Sequence, residues 1–103
     1  MYDAGDGVSR NSAEALKWWR RAAEQDDPDG QYSLGVAYKL GIGTDPDPVI
    51  SLMWFNLAAT RATAAQLRDK TIRNRDLVAK HMSPDQVGEA QRLAEEWKPG
   101  IAP

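Results

Sequence analysis

The chain has no cysteine and a single histidine. That excludes a disulfide framework, thiol chemistry and the Cys- or His-rich ligand sets of zinc sites. It also lacks an excess of one charge: 13 Lys and Arg stand against 15 Asp and Glu, a net charge of −2. No basic surface is therefore expected for nucleic acid or an anionic membrane. No apolar run approaches the ~20 residues that span a bilayer, so no membrane insertion is expected. The first ten residues are polar and glycine-rich and do not read as a secretory signal. A cysteine-free chain suits cytoplasm or periplasm equally, and the localisation stays open. The length, 103 residues, suits one domain.

What the chain does have is a repeat. Tyr2, Gly5, Gly7, Leu16, Trp18, Ala22 and Ala23 recur as Tyr38, Gly41, Gly43, Leu52, Trp54, Ala58 and Ala59, each pair 36 residues apart. Trp19 is answered by Phe55, another aromatic. A fixed period in this range is the mark of a helical solenoid, in which one supersecondary unit cannot bury its apolar face alone and stacks on its neighbours.

The local signals divide the chain into about five helices with short links and no strand. Gly5-Asp6-Gly7 reads as a turn, after which Asn11 is expected to cap a helix over 12–25 with Glu14 as its capping-box partner. Asp26, Asp27 and Pro28 break that helix, and Asp27 with Pro28 starts the next, over 28–40, which Gly41 ends in the left-handed conformation. Asp47 and Pro48 start a third over 48–60 by the same device. The remainder departs from the residue pattern of the repeat. A rough apolar stripe of Ala64, Leu67, Thr71, Ile72, Leu77 and Val78 predicts one long helix over 62–80, or two with a break near Asn74. Ser83, Pro84 and Gln86 open the last, over 84–97, with Val87, Ala90, Leu93, Ala94 and Trp97 facing inward. Short loops imply antiparallel neighbours. Gly35, in mid-helix, costs ~1 kcal/mol of helix propensity against Ala, and close backbone approach is the expected reason for it.

Residues 30–59 carry Leu34-Gly35, Tyr38, Gly41-x-Gly43, Asp47, and Trp54-x-x-x-Ala58-Ala59. This resembles the Sel-one-like repeat family, relatives of the tetratricopeptide repeats. Residues 2–25 look like the second half of a preceding repeat, and 75–99, with Ala90-Gln91-Arg92 and Trp97, are similar to the closing segment of bacterial members. The resemblance implies an all-α solenoid of antiparallel helix pairs, about two and a half repeats: 1–27 a partial repeat, 28–61 a complete one, 62–103 closing helices. Gly30 stands where the family usually has alanine, which predicts a loose start to the second helix.

The resemblance further implies a non-enzymatic scaffold that holds a protein or peptide partner, with no cofactor and no metal. On the helix over 28–40, the 100° rotation per residue puts Leu34 and Tyr38 on one side and Tyr32, Val36 and Lys39 on the other. An aromatic ring, an apolar patch and a cation in line make the second stripe the candidate partner-binding surface. The competing reading is a solvent face with scattered apolar residues. The chain starts where the family would have a first helix, so the helix over 12–25 lacks its usual cover. Either the array is longer, or that face docks on something, and a homodimer through this N-terminal helix is the expectation.

Other candidates read better as structure than as chemistry. Trp18, Trp19 and Trp54 fit a core more than a ligand-stacking box, and Lys17, Arg20 and Arg21 fit a solvated helix face more than an anion site. His81 has no second ligand near it. Asp45-Pro46-Asp47-Pro48 lacks the ligand count of a calcium loop, and capping accounts for Asp47. Some relatives are linked to penicillin binding, but no serine here has a lysine three residues on, so the S-x-x-K signature of that chemistry is missing. No Gly-Lys-Ser/Thr follows the glycine pair, so it is not a phosphate loop.

Overall fold

The computed structural model describes the backbone of residues 6–99 and the side chains of residues 11–99. These form five helices: α1 Asp6–Glu24, α2 Pro28–Leu40, α3 Pro48–Arg61, α4 Ala65–Lys80 and α5 Pro84–Glu96. No strand occurs among the described residues. Helix α2 packs between α1 and α3, and α3 in turn carries α4 and α5. The fold is an all-α solenoid of stacked helical hairpins.

The helix boundaries follow from local chemistry. Asp27 accepts from the Asp29 N–H, and Asp47 from those of Val49 and Ile50, with Pro28 and Pro48 in the first turn behind each cap. Ser83 and Gln86 form the full capping box of α5. These caps satisfy amides that have no partner inside a helix. Gly41 (φ 78°) ends α2 and donates to the Ala37 carbonyl, and Gly43 (φ 76°) carries the chain on through the turn. Helix α4 is unbroken at Asn74 and begins three residues later than expected.

Asn11 is not a cap. It lies inside α1, which already begins at Asp6. The second copy differs. There the turn before α3 is tied to the end of α2 by the Asp47 N–H donating to the Tyr38 carbonyl. In the first copy the segment before Asn11 is instead part of α1. Tyr2 and Gly5 lie outside the described residues.

Two apolar clusters share α3 as a wall. One face of α3 puts Met53, Trp54 and Leu57 against Ala23 and Leu34, with Leu16, Trp19 and Tyr38 packed at its edge and Trp97 closing it from α5. The other puts Leu52 and Phe55 against Val78 and Ala90. Trp54, Phe55 and Leu34 are fully buried. Each such side chain contributes about 1.5–3 kcal/mol relative to exposure. Gly30 corrects an expectation: the start of α2 is tight, not loose. A Cβ there would lie 2.6 Å from the Ala22 Cβ and 2.8 Å from the Ala23 nitrogen, so the missing side chain is what lets α2 reach α1.

The 36-residue phase outlasts its sequence signature. Helix α3 opens at Pro48 and α5 at Pro84, 36 residues on. The Gly-x-Gly turn has no counterpart there, because α4 runs helically through the equivalent stretch to Lys80. The consequence is geometric. Helices α4 and α5 share the Leu52/Phe55 cluster near their connecting turn, and each then packs on α3 without closing on the other.

Candidate docking surfaces

Tyr32, Val36 and Lys39 lie together on the side of α2 away from Leu34 and Tyr38. Their surroundings differ from an open face. Tyr32 and Val36 pack against the Leu52/Phe55 cluster, with the Tyr32 ring 5.8 Å from that of Phe55. The polar ends meet α4: Asn74 Nδ2 donates to the Tyr32 hydroxyl (3.2 Å), and Lys39 Nζ donates to Asn74 Oδ1 (3.1 Å). The Lys70 ammonium stands 4.8 Å from the centre of the Tyr32 ring. All three stripe residues are half-buried. The rotation along α2 sets their common side, and α4, lying beside α2, turns a single-helix stripe into a strip shared by two helices. Asn74 and Lys70, which complete it, have no mark in the local sequence. Their only signal is register, since they stand 36 residues after Tyr38 and Leu34.

The opening between α4 and α5 is a cleft of about 720 Å³ floored by α3. Leu52, Leu57, Ile72, Val87 and Trp97 supply its apolar lining, Arg75 stands on the α4 side and Glu95 on the α5 side. The buried Trp97 indole meets Trp54 edge-on at 5.7 Å between ring centres and carries the Arg61 guanidinium 5.4 Å above its ring. Its Nε1 has no hydrogen-bond acceptor, nor has that of Trp54.

The tryptophans divide. Trp54 is fully buried and Trp19 half-buried, whereas Trp18, expected in the core, is 60% exposed. Trp18 and Trp54 hold the same position in their copies, but Trp54 has α2 and α1 in front of it, and no helix precedes α1 among the described residues. Arg21 lies over the Trp18 ring at 5.2 Å. Arg20 is no part of a free basic cluster, because it donates to the Tyr38 hydroxyl at 2.6 Å.

Beyond these surfaces the polar residues are structural. Asp26 has a left-handed backbone (φ 67°) where α1 ends. It pairs with Arg61 at the far end of α3 and accepts from Gln31 Nε2 at 3.1 Å. His81 is exposed at the end of α4. Among the described residues no group of three or more His, Asp or Glu side chains converges as a metal site would require, and no helix is long and apolar enough to cross a membrane.

Comparison with known proteins bears on all of this. The model of the Sel1 repeat matches residues 1–27 and 28–62. The ERAD-associated E3 ubiquitin-protein ligase component HRD3B of Arabidopsis thaliana is 42% identical over 48 residues. That match covers 46% of this chain and 8% of the plant protein. No solved structure matches. The bacterial character expected of the closing segment is not borne out, the relative found being a plant protein. Sel1 repeats mediate protein–protein interaction and are typically non-catalytic. With two consecutive matches over more than half its length, in the helices that carry the repeat, the chain belongs to the Sel1 repeat family.

Proposed function

We propose that this chain is a non-enzymatic adaptor that holds a protein or peptide segment along the strip built by α2 and α4. Tyr32, Val36 and Lys39 contact the partner, residues 1–27 and 28–61 act as the stacked repeats, and 62–103 close the array. The observation that carries this reading is the convergence of the Tyr32 hydroxyl, the Lys39 ammonium and the Asn74 amide from two helices. Such a strip offers a ring face, an apolar step at Val36 and hydrogen-bonding groups, the mix that peptide recognition uses. The related plant protein is by name a ligase component, and a holding role within an assembly is the part we carry over. The net charge of −2 gives a polyanion no attraction, so nucleic acid is not among the partners we propose.

The test is a pull-down with the wild-type chain, Tyr32→Ala and Lys39→Glu, folding of each checked by circular dichroism. Loss of the wild-type partners by both variants supports the strip. Retention of every partner by both makes it the wrong surface. No labelling by a penicillin-type reagent is expected.

Trp18 favours a second reading, self-association through α1. A tryptophan 60% exposed among the described residues is the kind of surface that takes part in contacts. Sedimentation would then show a homodimer that Trp18→Glu returns to monomer, and a monomer at high concentration removes this reading.

A further inference from the structure

We propose that the cleft between α4 and α5 receives an amphipathic α-helix of a partner protein, its acidic flank against α4 and its basic flank against α5. This rests on the scaffold reading but uses a different surface from the α2 strip.

The cleft is open because α4 and α5 meet only near their connecting turn and otherwise pack on α3 rather than on each other. In the complete repeat, α2 and α3 close on each other through Leu34, Tyr38 and Trp54. The residues 36 positions on do not line the cleft: Lys70 and Asn74 face Tyr32 and Lys39 of α2, and Ala90 is buried in the Leu52/Phe55 cluster. What remains is a cleft that puts apolar side chains of all three helices (Leu52, Leu57, Ile72 and Val87) beside the polar Asn56, Thr60 and Arg61 of α3.

Charge selects the occupant. Of the charged side chains that line the cleft, Arg75 comes from α4, Glu95 from α5, and Arg61, already paired with Asp26, from α3. At the lips, Arg75 pairs only with its neighbour Asp76 (3.2 Å), and Glu95 pairs with nothing among the described residues. A helix satisfies its own backbone over apolar side chains, which an extended segment does not. Its apolar edge would cover those of the cleft, an acid would meet Arg75, and a base would meet Glu95. A segment charged alike on both flanks would meet repulsion from one wall.

The probes are three synthetic 15-residue helices with one leucine edge: Glu on one flank and Lys on the other, Glu on both, and Lys on both. Binding to the full chain is read by calorimetry and by the NMR signal of the Trp97 indole N–H. The mixed peptide is expected to bind at least tenfold tighter than either control and to shift that signal. Arg75→Glu makes both lips acidic and should move the preference to the Lys-only peptide. The Arg75 side chain is one-third exposed, so the variant is expected to fold, which circular dichroism verifies. Binding of the three peptides within twofold of each other, no Trp97 shift at millimolar peptide, or an unchanged ranking in Arg75→Glu overturns the proposal. Self-association abolished by Arg75→Glu, with no peptide bound, also overturns it, since the occupant is then a second copy. If the peptides fail while Tyr32→Ala and Lys39→Glu still lose their partners, the cleft falls and the scaffold stands. If the mixed peptide binds while those variants keep every partner, the strip falls and the cleft stands.

Discussion

The Phe55 ring occupies the place where a Cβ on Gly35 would stand, 2.5 Å from Cε1. Ser51, one turn earlier on α3, donates from Oγ to the Gly35 carbonyl at 2.6 Å. Helix α2 thus meets α3 backbone to ring, and the glycine is the condition for it. Gly35→Ala gains ~1 kcal/mol of helix propensity and meets an overpacking cost of about 1–3 kcal/mol, because Phe55 is fully buried and has nowhere to turn. The variant is expected to be less stable than wild type, seen as a lower urea midpoint. A higher midpoint would mean that the ring yields.

The paired tryptophans should differ sharply under truncation. Trp54→Ala empties a site with no exposure and is expected to cost about 3–5 kcal/mol. Trp18→Ala removes an exposed ring and its contact with Arg21, worth less than about 1 kcal/mol. Equilibrium urea unfolding measures both, under dilute conditions in which α1 has no partner.

The caps give a local check. Asp47→Ala removes the acceptor of two first-turn amides, and Ser83→Ala breaks a capping box, each at about 1 kcal/mol. The two sites head different helices, so the double variant should show the sum of the single effects in the same unfolding measurement.

Asp26 joins the ends of α1 and α3 from a backbone conformation that few residues tolerate. Asp26→Ala loses the acceptor for Arg61 and Gln31 and the short polar side chain that makes the left-handed backbone tolerable, a combined cost of about 2 kcal/mol. Asp26→Asn keeps the conformational tolerance and one acceptor oxygen, and should cost under about 1 kcal/mol. Thermal melts of the pair separate the backbone contribution from the charge.

Much of this fold was legible because its signals are local. Asp27-Pro28, Asp47-Pro48, Ser83-Pro84 and Gly41 each act within one turn of helix, and the structure places a cap or a helix end at each. The 36-residue period exposed the relation of α1 to α3. What stayed hidden depends on residues far apart in sequence. The pairing of Asp26 with Arg61 spans 35 residues. The tightness at Gly30 depends on Ala22 across a turn. The stripe of Tyr32, Val36 and Lys39 was readable as a helix side, but the presence of α4 beside it was not. The α4/α5 cleft was not legible either, because it depends on how α4 and α5 each pack on α3.

The account turns on α3 as the wall that both clusters share, which frees the outer sides of α2, α4 and α5 for docking. Native-state hydrogen exchange tests this directly. The amides of Leu52, Met53, Trp54 and Phe55 should be the slowest in the chain and exchange only by global unfolding, with those of α1 opening sooner. Exchange in α3 as fast as in α1 would contradict a common wall and the stacking of hairpins built upon it.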